Sequence, residues 1–227
     1  MKLRKLIGYS VTTALALGLS SISQAAVITS FEASGIVSNQ VGLSTITFEG
    51  LGSHDGTNAC AYTSCTGNFE VRENTDGHVH GSAPPFTATP IDGHWLTVPN
   101  DLSSGSATFT LGSSYDYFGL FWGSIDTYNS ITFFDGATQL ASFSGSHFIP
   151  DLEADGGQTD WNSNRFINFS FTDGDTFDSF KLTSNGLAFE TDNHAYGNVS
   201  VPEPSVIALM GLGLAGIGFA RRRRTQA

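Results

Sequence analysis

Phe166-Ile167-Asn168-Phe169-Ser170-Phe171 and Thr108-Phe109-Thr110-Leu111 decide how the rest of the chain is read. In both, bulky apolar side chains alternate with small polar ones, the period of a strand that buries one face. The same chemistry, rich in Phe, Tyr, Ile, Thr and Val, predicts further short strands at 45–49, 117–122, 130–134, 139–143, 177–183, 187–190 and 196–199. Asp-Gly pairs punctuate them at Asp55-Gly56, Asp76-Gly77, Asp92-Gly93, Asp135-Gly136, Asp155-Gly156 and Asp173-Gly174. Glycine supplies positive φ and aspartate bonds its own backbone, so each pair predicts a turn. No helical apolar stripe of useful length interrupts this pattern between residues 26 and 200. Many short strands joined by turns predict an all-β fold, a two-sheet antiparallel sandwich of jelly-roll type. Eighteen phenylalanines give that sandwich an aromatic core.

Outward from this body, both ends of the chain change character. Residues 1–25 open with Lys2, Arg4 and Lys5, continue through an apolar stretch from Leu6 to Leu19 and close on Ser23-Gln24-Ala25. That order predicts a secretory signal peptide. Residues 201–227 combine Val201-Pro202-Glu203-Pro204, an uncharged run at 206–220 and the four arginines Arg221, Arg222, Arg223 and Arg224. The prolines fix their own φ and push their neighbours toward extended backbone. As a helix the apolar run would span about 22 Å, against about 30 Å of hydrocarbon, which is short for a permanent anchor. The arginines stop on the cytoplasmic side, leaving everything before Pro202 outside. Three regions follow: 1–25 signal peptide, 26–200 extracytoplasmic sandwich, and 201–227 sorting segment, with a signal helix at one end and a short hydrophobic helix at the other.

Pro-Glu-Pro, a brief Gly-rich apolar segment and an arginine cluster in that order resemble the PEP-CTERM sorting signal of Gram-negative bacteria. The resemblance implies recognition by exosortase, a membrane cysteine peptidase, near Val201 to Pro204, a transient membrane anchor, and delivery to the outer surface or extracellular matrix. Within the body, the run from Tyr117 to Asn129, the following arm from Ile131 to Gly136 and Phe189-Glu190-Thr191-Asp192-Asn193 are similar to elements of a recurrent class of exosortase-dependent surface proteins. That similarity implies a shared fold and surface role and brings no activity with it.

Residues 26–200 hold three basic side chains, Arg72, Arg165 and Lys181, against twenty acidic ones, a formal charge of −17. Such a body repels nucleic acid and anionic lipid and favours cations. Cys60 and Cys65 are the two cysteines of the chain. Outside the cytoplasm they are expected to close a disulfide staple about 2 kcal/mol strong. Their spacing fits neither a redox pair nor a structural zinc site.

Three kinds of site are expected or weighed. Carboxylates at acidic turns, 151–156 and 173–178, and above all Glu49 with Asp192 on terminal strands, are expected to hold calcium, by resemblance to carbohydrate-binding jelly rolls. His78 and His80 would share one strand face and reach a transition metal with His94, although their surroundings read as a long loop. Trp161, Asn162 and Asn164, with exposed Trp95 and Tyr128, offer the stacking faces and amides that a sugar needs. No nucleophile elbow or distinct acid pair marks a catalytic centre. The sequence therefore predicts a non-enzymatic secreted protein that binds exopolysaccharide or forms part of a surface coat. The alternative is a secreted enzyme acting on polysaccharide.

Overall fold

Side-chain alternation becomes two antiparallel sheets in the computed structural model, which describes residues 25–33, 35–51, 60–73, 93–100, 102–149 and 152–199. The strands are β1 Val27–Phe31, β2 Ser44–Ile46, β3 Ser64–Gly67, β4 Glu70–Glu73, β5 His94–Val98, β6 Gly105–Tyr115, β7 Tyr117–Gly123, β8 Asn129–Asp135, β9 Thr138–Ser144, β10 Arg165–Phe171, β11 Phe177–Ser184 and β12 Phe189–Gly197. One short 3-10 helix, Gly145–Phe148, follows β9. The first sheet has seven strands in the order β1-β10-β7-β12-β5-β4, with β2 paired beside the second half of β12. The second has five, in the order β3-β6-β11-β8-β9. Both expected terminal helices lie outside the described residues, as do the turns at Asp55-Gly56 and Asp76-Gly77.

Most predicted strands are present, with shifted ends. The two expected at 187–190 and 196–199 are one continuous strand, β12, because the bulge between Asp192 and Ala195 lets it bend without breaking its pairing to β7. Asn193 absorbs that bend with φ 51°. The strand expected at 45–49 ends at Ile46, and Phe48 then adopts φ 62°. Strands β1, β3, β4 and β5 are additional to the sequence expectation. Asp135-Gly136 joins β8 to β9 as predicted, with Gly136 at φ 55° and its N–H donated to the Asp178 carboxylate at 3.0 Å. Asp173 and Gly174, both at positive φ, turn the chain from β10 to β11.

Between the sheets lies the aromatic core. Phe118 from β7 sits with its ring centroid 4.4 Å from Phe180, and Phe133 lies 5.1 Å from both Phe169 and Phe177. Trp122 stacks on Phe189 at 4.3 Å. The outer face of the first sheet is also covered. Tyr117, Phe121, Phe166 and Ala195 form a second buried cluster there, closed by Ile36, Leu43, Trp161 and Val199. Gly119 makes this second layer possible, since a Cβ at that position would meet the Phe166 ring at 2.5 Å. Tyr117 donates to Asn168 Oδ1 at 2.5 Å, Ser38 Oγ lies 2.6 Å from the same hydroxyl, and burial pushes its pKa up to about 12.

Cys60 and Cys65 are joined across a separation of five positions in sequence. The staple does more than close a loop. It holds Tyr62, whose ring lies 5.2 Å from Phe109 and whose hydroxyl bonds to Nδ1 of His194. His194 is fully buried and its other nitrogen meets Thr191 Oγ1 at 2.8 Å. A neutral ring, one nitrogen accepting and the other donating, satisfies both partners. Burial holds the His194 pKa down at about 3, against 6.5 for the free side chain.

The folded-state pKa is below the unfolded one, so the unfolded chain takes up the proton first as pH falls. Stability is then complete above pH 6.5 and declines below it by about 1.4 kcal/mol per pH unit. Urea unfolding at pH 6.5 and pH 5 should therefore show a loss of about 2 kcal/mol for the native protein and a clearly smaller loss for His194→Gln. Equal losses would mean that the imidazole is not held neutral in the fold.

Candidate functional site

The strand directions place the two ends of the body beside each other. Val27 pairs with Phe171, Ser170 with Tyr117, and Tyr117 with Gly197, so β1, β10, β7 and β12 all reach one edge of the first sheet there. Ala26 O accepts from Thr172 N at 2.9 Å, and Phe171 N donates to Asp116 O at 2.8 Å. Asp116, in the turn between β6 and β7, also holds the other chain end. Its Oδ1 accepts from Val199 N at 2.7 Å, and its own N–H donates to Asn198 Oδ1 at 3.1 Å. Asp135, Asp173, Asp175 and Asp178 lie at the starts and ends of strands on this same end. The sorting residues Val201, Pro202, Glu203 and Pro204, and the arginine stop from Arg221 to Arg224, fall outside the described residues and follow directly from this point in sequence.

At the opposite end, about 23 Å away along the seven residues of β7, three connections are laced together. Ile125 N donates to Ser163 O at 2.7 Å and Gly156 N to Ile125 O at 3.1 Å. Tyr128 donates to Leu187 O at 2.8 Å, and Asn129 Nδ2 to Ala188 O at 2.8 Å. Asp155 accepts from the Ser163 hydroxyl at 2.6 Å and from Gly157 N at 3.0 Å, and these bonds hold its carboxyl below the usual range. Burial acts the other way on Asp126, raising its pKa.

The residues expected to meet sugar divide here. Asn164 is fully buried, its Oδ1 accepting from Ser124 N at 2.8 Å and its Nδ2 donating to Gly157 O and Asp160 O. It ties loops together. Trp161 is half-buried against Phe121, with centroids 6.3 Å apart, while Asn162 is exposed. Trp95, expected at the surface, is 2 % exposed. It lies on β5 between strands β4 and β12, on a face whose cover no local pattern announces.

Glu49 accepts from His94 at both carboxylate oxygens, from the backbone N and from Nδ1, each at 3.1 Å. His94 Nε2 lies 3.7 Å from Glu73 Oε2, so its ring stands between two carboxylates. Asp192 is buried and accepts from Asn193 N at 2.6 Å. The pair proposed for calcium is thus engaged by protein donors on each side. Among the described residues, no group of three or more His, Cys, Asp or Glu side chains converges to hold a metal ion. His78, His80 and Asp92 lie outside the described residues, as does Asp151 of the acidic turn.

One constellation has no counterpart in the sequence reading. Glu70, Arg72, Glu190 and Asp192 are all buried on the outer face of the first sheet, with Arg72 Nη2 2.8 Å from Glu70 Oε2. Pairing places Thr97 between Glu70 and Glu190. A signal for it exists in Phe69-Glu70-Val71-Arg72, where apolar and charged residues alternate as strand residues do. Charge at the polar positions argued for solvent, and tertiary burial overrode it.

Residues 200–224 match the family model of the PEP-CTERM protein-sorting motif. No curated protein matches the chain.

Proposed function

We propose that this PEP-CTERM protein, an exosortase substrate by virtue of its motif, is a non-enzymatic component of the outer surface or extracellular matrix that binds exopolysaccharide. Secretion and transient C-terminal anchoring in a Gram-negative bacterium follow from the motif itself. The match at 200–224 is the observation that carries the reading. Support for the finer part comes from the placement of Trp161, Asn162 and Tyr128, at the end of the sandwich opposite the sorting segment. A body anchored through residue 200 turns that end outward. A ring face beside exposed amides and carboxylates is the chemistry by which proteins hold sugars. The acidic body adds to this by keeping clear of anionic lipid.

Replacing Pro202-Glu203-Pro204 by alanines should leave a membrane-bound precursor that retains Arg224 in the native host, read by intact mass of cell and medium fractions. Normal processing of that variant would remove the sorting assignment. On a glycan array the purified body should bind neutral exopolysaccharide without releasing product, and Trp161→Ala should weaken binding about tenfold, the loss of one stacked ring. Product release would establish the polysaccharide-active enzyme instead. A calcium ion on Glu49 and Asp192 belongs to the same proposal. With it, Asp192→Ala lowers the melting temperature in calcium buffer and not in EDTA, and equal loss in both removes the ion.

A further inference from the structure

Only Ser200 and Val201 separate the last described residue, Val199, from Pro202. Two residues reach at most about 7 Å. Val199 itself is held twice, through its N–H to Asp116 Oδ1 at 2.7 Å and by packing against the cluster of Tyr117, Phe121, Phe166 and Ala195. Asn198 is held by the Asp116 N–H at 3.1 Å. Two residues further back, Tyr196 packs edge-on against Tyr115, with centroids 5.1 Å apart. The chain therefore stays part of the sandwich to within two residues of Pro202.

A peptidase reads an extended backbone on both sides of the bond it cuts, and docked residues are withheld from it until they open locally. When that opening is fast compared with cleavage, the cutting rate follows the open population. We propose that Asp116 is a clip that sets the rate of C-terminal processing: by bonding Asn198 and Val199 it keeps the chain up to Val199 on the body, and exosortase acts on the fraction of molecules in which these two residues have come away. Asp116 touches no reacting atom, and it acts through the availability of the strand end. The inference rests on the exosortase reading given above.

Two features make the clip more than a turn contact. Asp116 uses both its carboxylate and its backbone N–H on two consecutive residues eighty-two and eighty-three positions away. Its carbonyl is meanwhile fixed by Phe171 N at 2.8 Å, so the clip is mounted on β10 and cannot follow the departing strand end. Asp135, Asp173, Asp175 and Asp178 share this end, and their charge keeps the body off an anionic bilayer. Opening at Asn198 and Val199 then supplies the reach that an electrostatic stand-off takes away.

Pulse-chase in the native host, following conversion of the anchored precursor of the full chain, tests this. Asp116→Ala should shorten the precursor's half-life about tenfold, the change in open population expected from losing one charge-assisted hydrogen bond. Asn198→Ala should act in the same direction. Inserting Gly-Ser-Gly-Ser after Ser200 supplies reach without touching the clip, and should shorten the half-life equally. With the insert present, Asp116→Ala should add little. Processing of Asp116→Ala at or below the native rate, or an insert without effect, overturns the clip. The alanine replacement of Pro202-Glu203-Pro204 runs alongside: if it too is processed normally, the sorting reading has failed, whereas a blocked replacement with an unaccelerated Asp116→Ala isolates the failure to the clip.

Discussion

Every residue of β7, from Tyr117 to Gly123, is buried, and the architecture follows from that constraint. A strand in a two-sheet sandwich ordinarily shows one face to water and alternates accordingly. Tyr117-Phe118-Gly119-Leu120-Phe121-Trp122-Gly123 does not alternate. Phe118, Leu120 and Trp122 point into the space between the sheets, and Tyr117 and Phe121 point away from it. The outward rings then need a roof, provided by Ile36, Leu43, Trp161 and Val199. Chain segments that would be plain surface connections in a simpler sandwich are thereby fixed to its back. One of them ends at the sorting motif.

The same constraint explains the polar groups that are buried. Once the outer face of the first sheet is covered, charged side chains on its strands lose water along with the aromatic ones. Arg72 and Glu70 meet each other there, because an isolated charge in such a place would cost several kcal/mol. His194 solves the same problem inside the core by remaining neutral between Tyr62 and Thr191. The disulfide at Cys60 and Cys65 supports this arrangement directly, since it fixes the backbone that delivers Tyr62.

Much of this was legible in the residues. Asn168-Phe169-Ser170-Phe171 states its period outright, and Asp135-Gly136 and Asp173-Gly174 announce turns whose φ values only such pairs adopt easily. The disulfide needed only the compartment and the count. What escaped was short or polar: Ser64-Cys65-Thr66-Gly67 has no apolar face, and Glu70 to Glu73 is charged at every position but Val71. Their strand character comes from neighbours, β6 and β5, that sequence reasoning cannot set beside them. Trp95 was misplaced for a related reason. Its burial depends on what covers the far face of a sheet, and no local pattern encodes that. The site divides along the same line. The sorting segment was readable because its meaning lies in the linear order of stiff, apolar and basic residues. The hold of Asp116 on Val199 was not, because it joins positions brought together only by the antiparallel run of β7 beside β12.

The distribution of function over the two ends follows from strand direction. β7 leaves Asp116 and runs away from the sorting segment, whereas β12 returns toward it, so the loops at 124–128 and 185–188 must lie at the far end. Lengthening those loops changes neither the sheets nor the position of Val199. Altering the Asp116 turn changes the contacts that hold Asn198 and Val199. The far-end loops and the chain end that leads into the sorting segment are thus separated by the length of a strand, about 23 Å for seven residues. On the proposed reading, such a body can vary what it meets at one end while keeping the contacts of Asp116 with Asn198 and Val199 at the other.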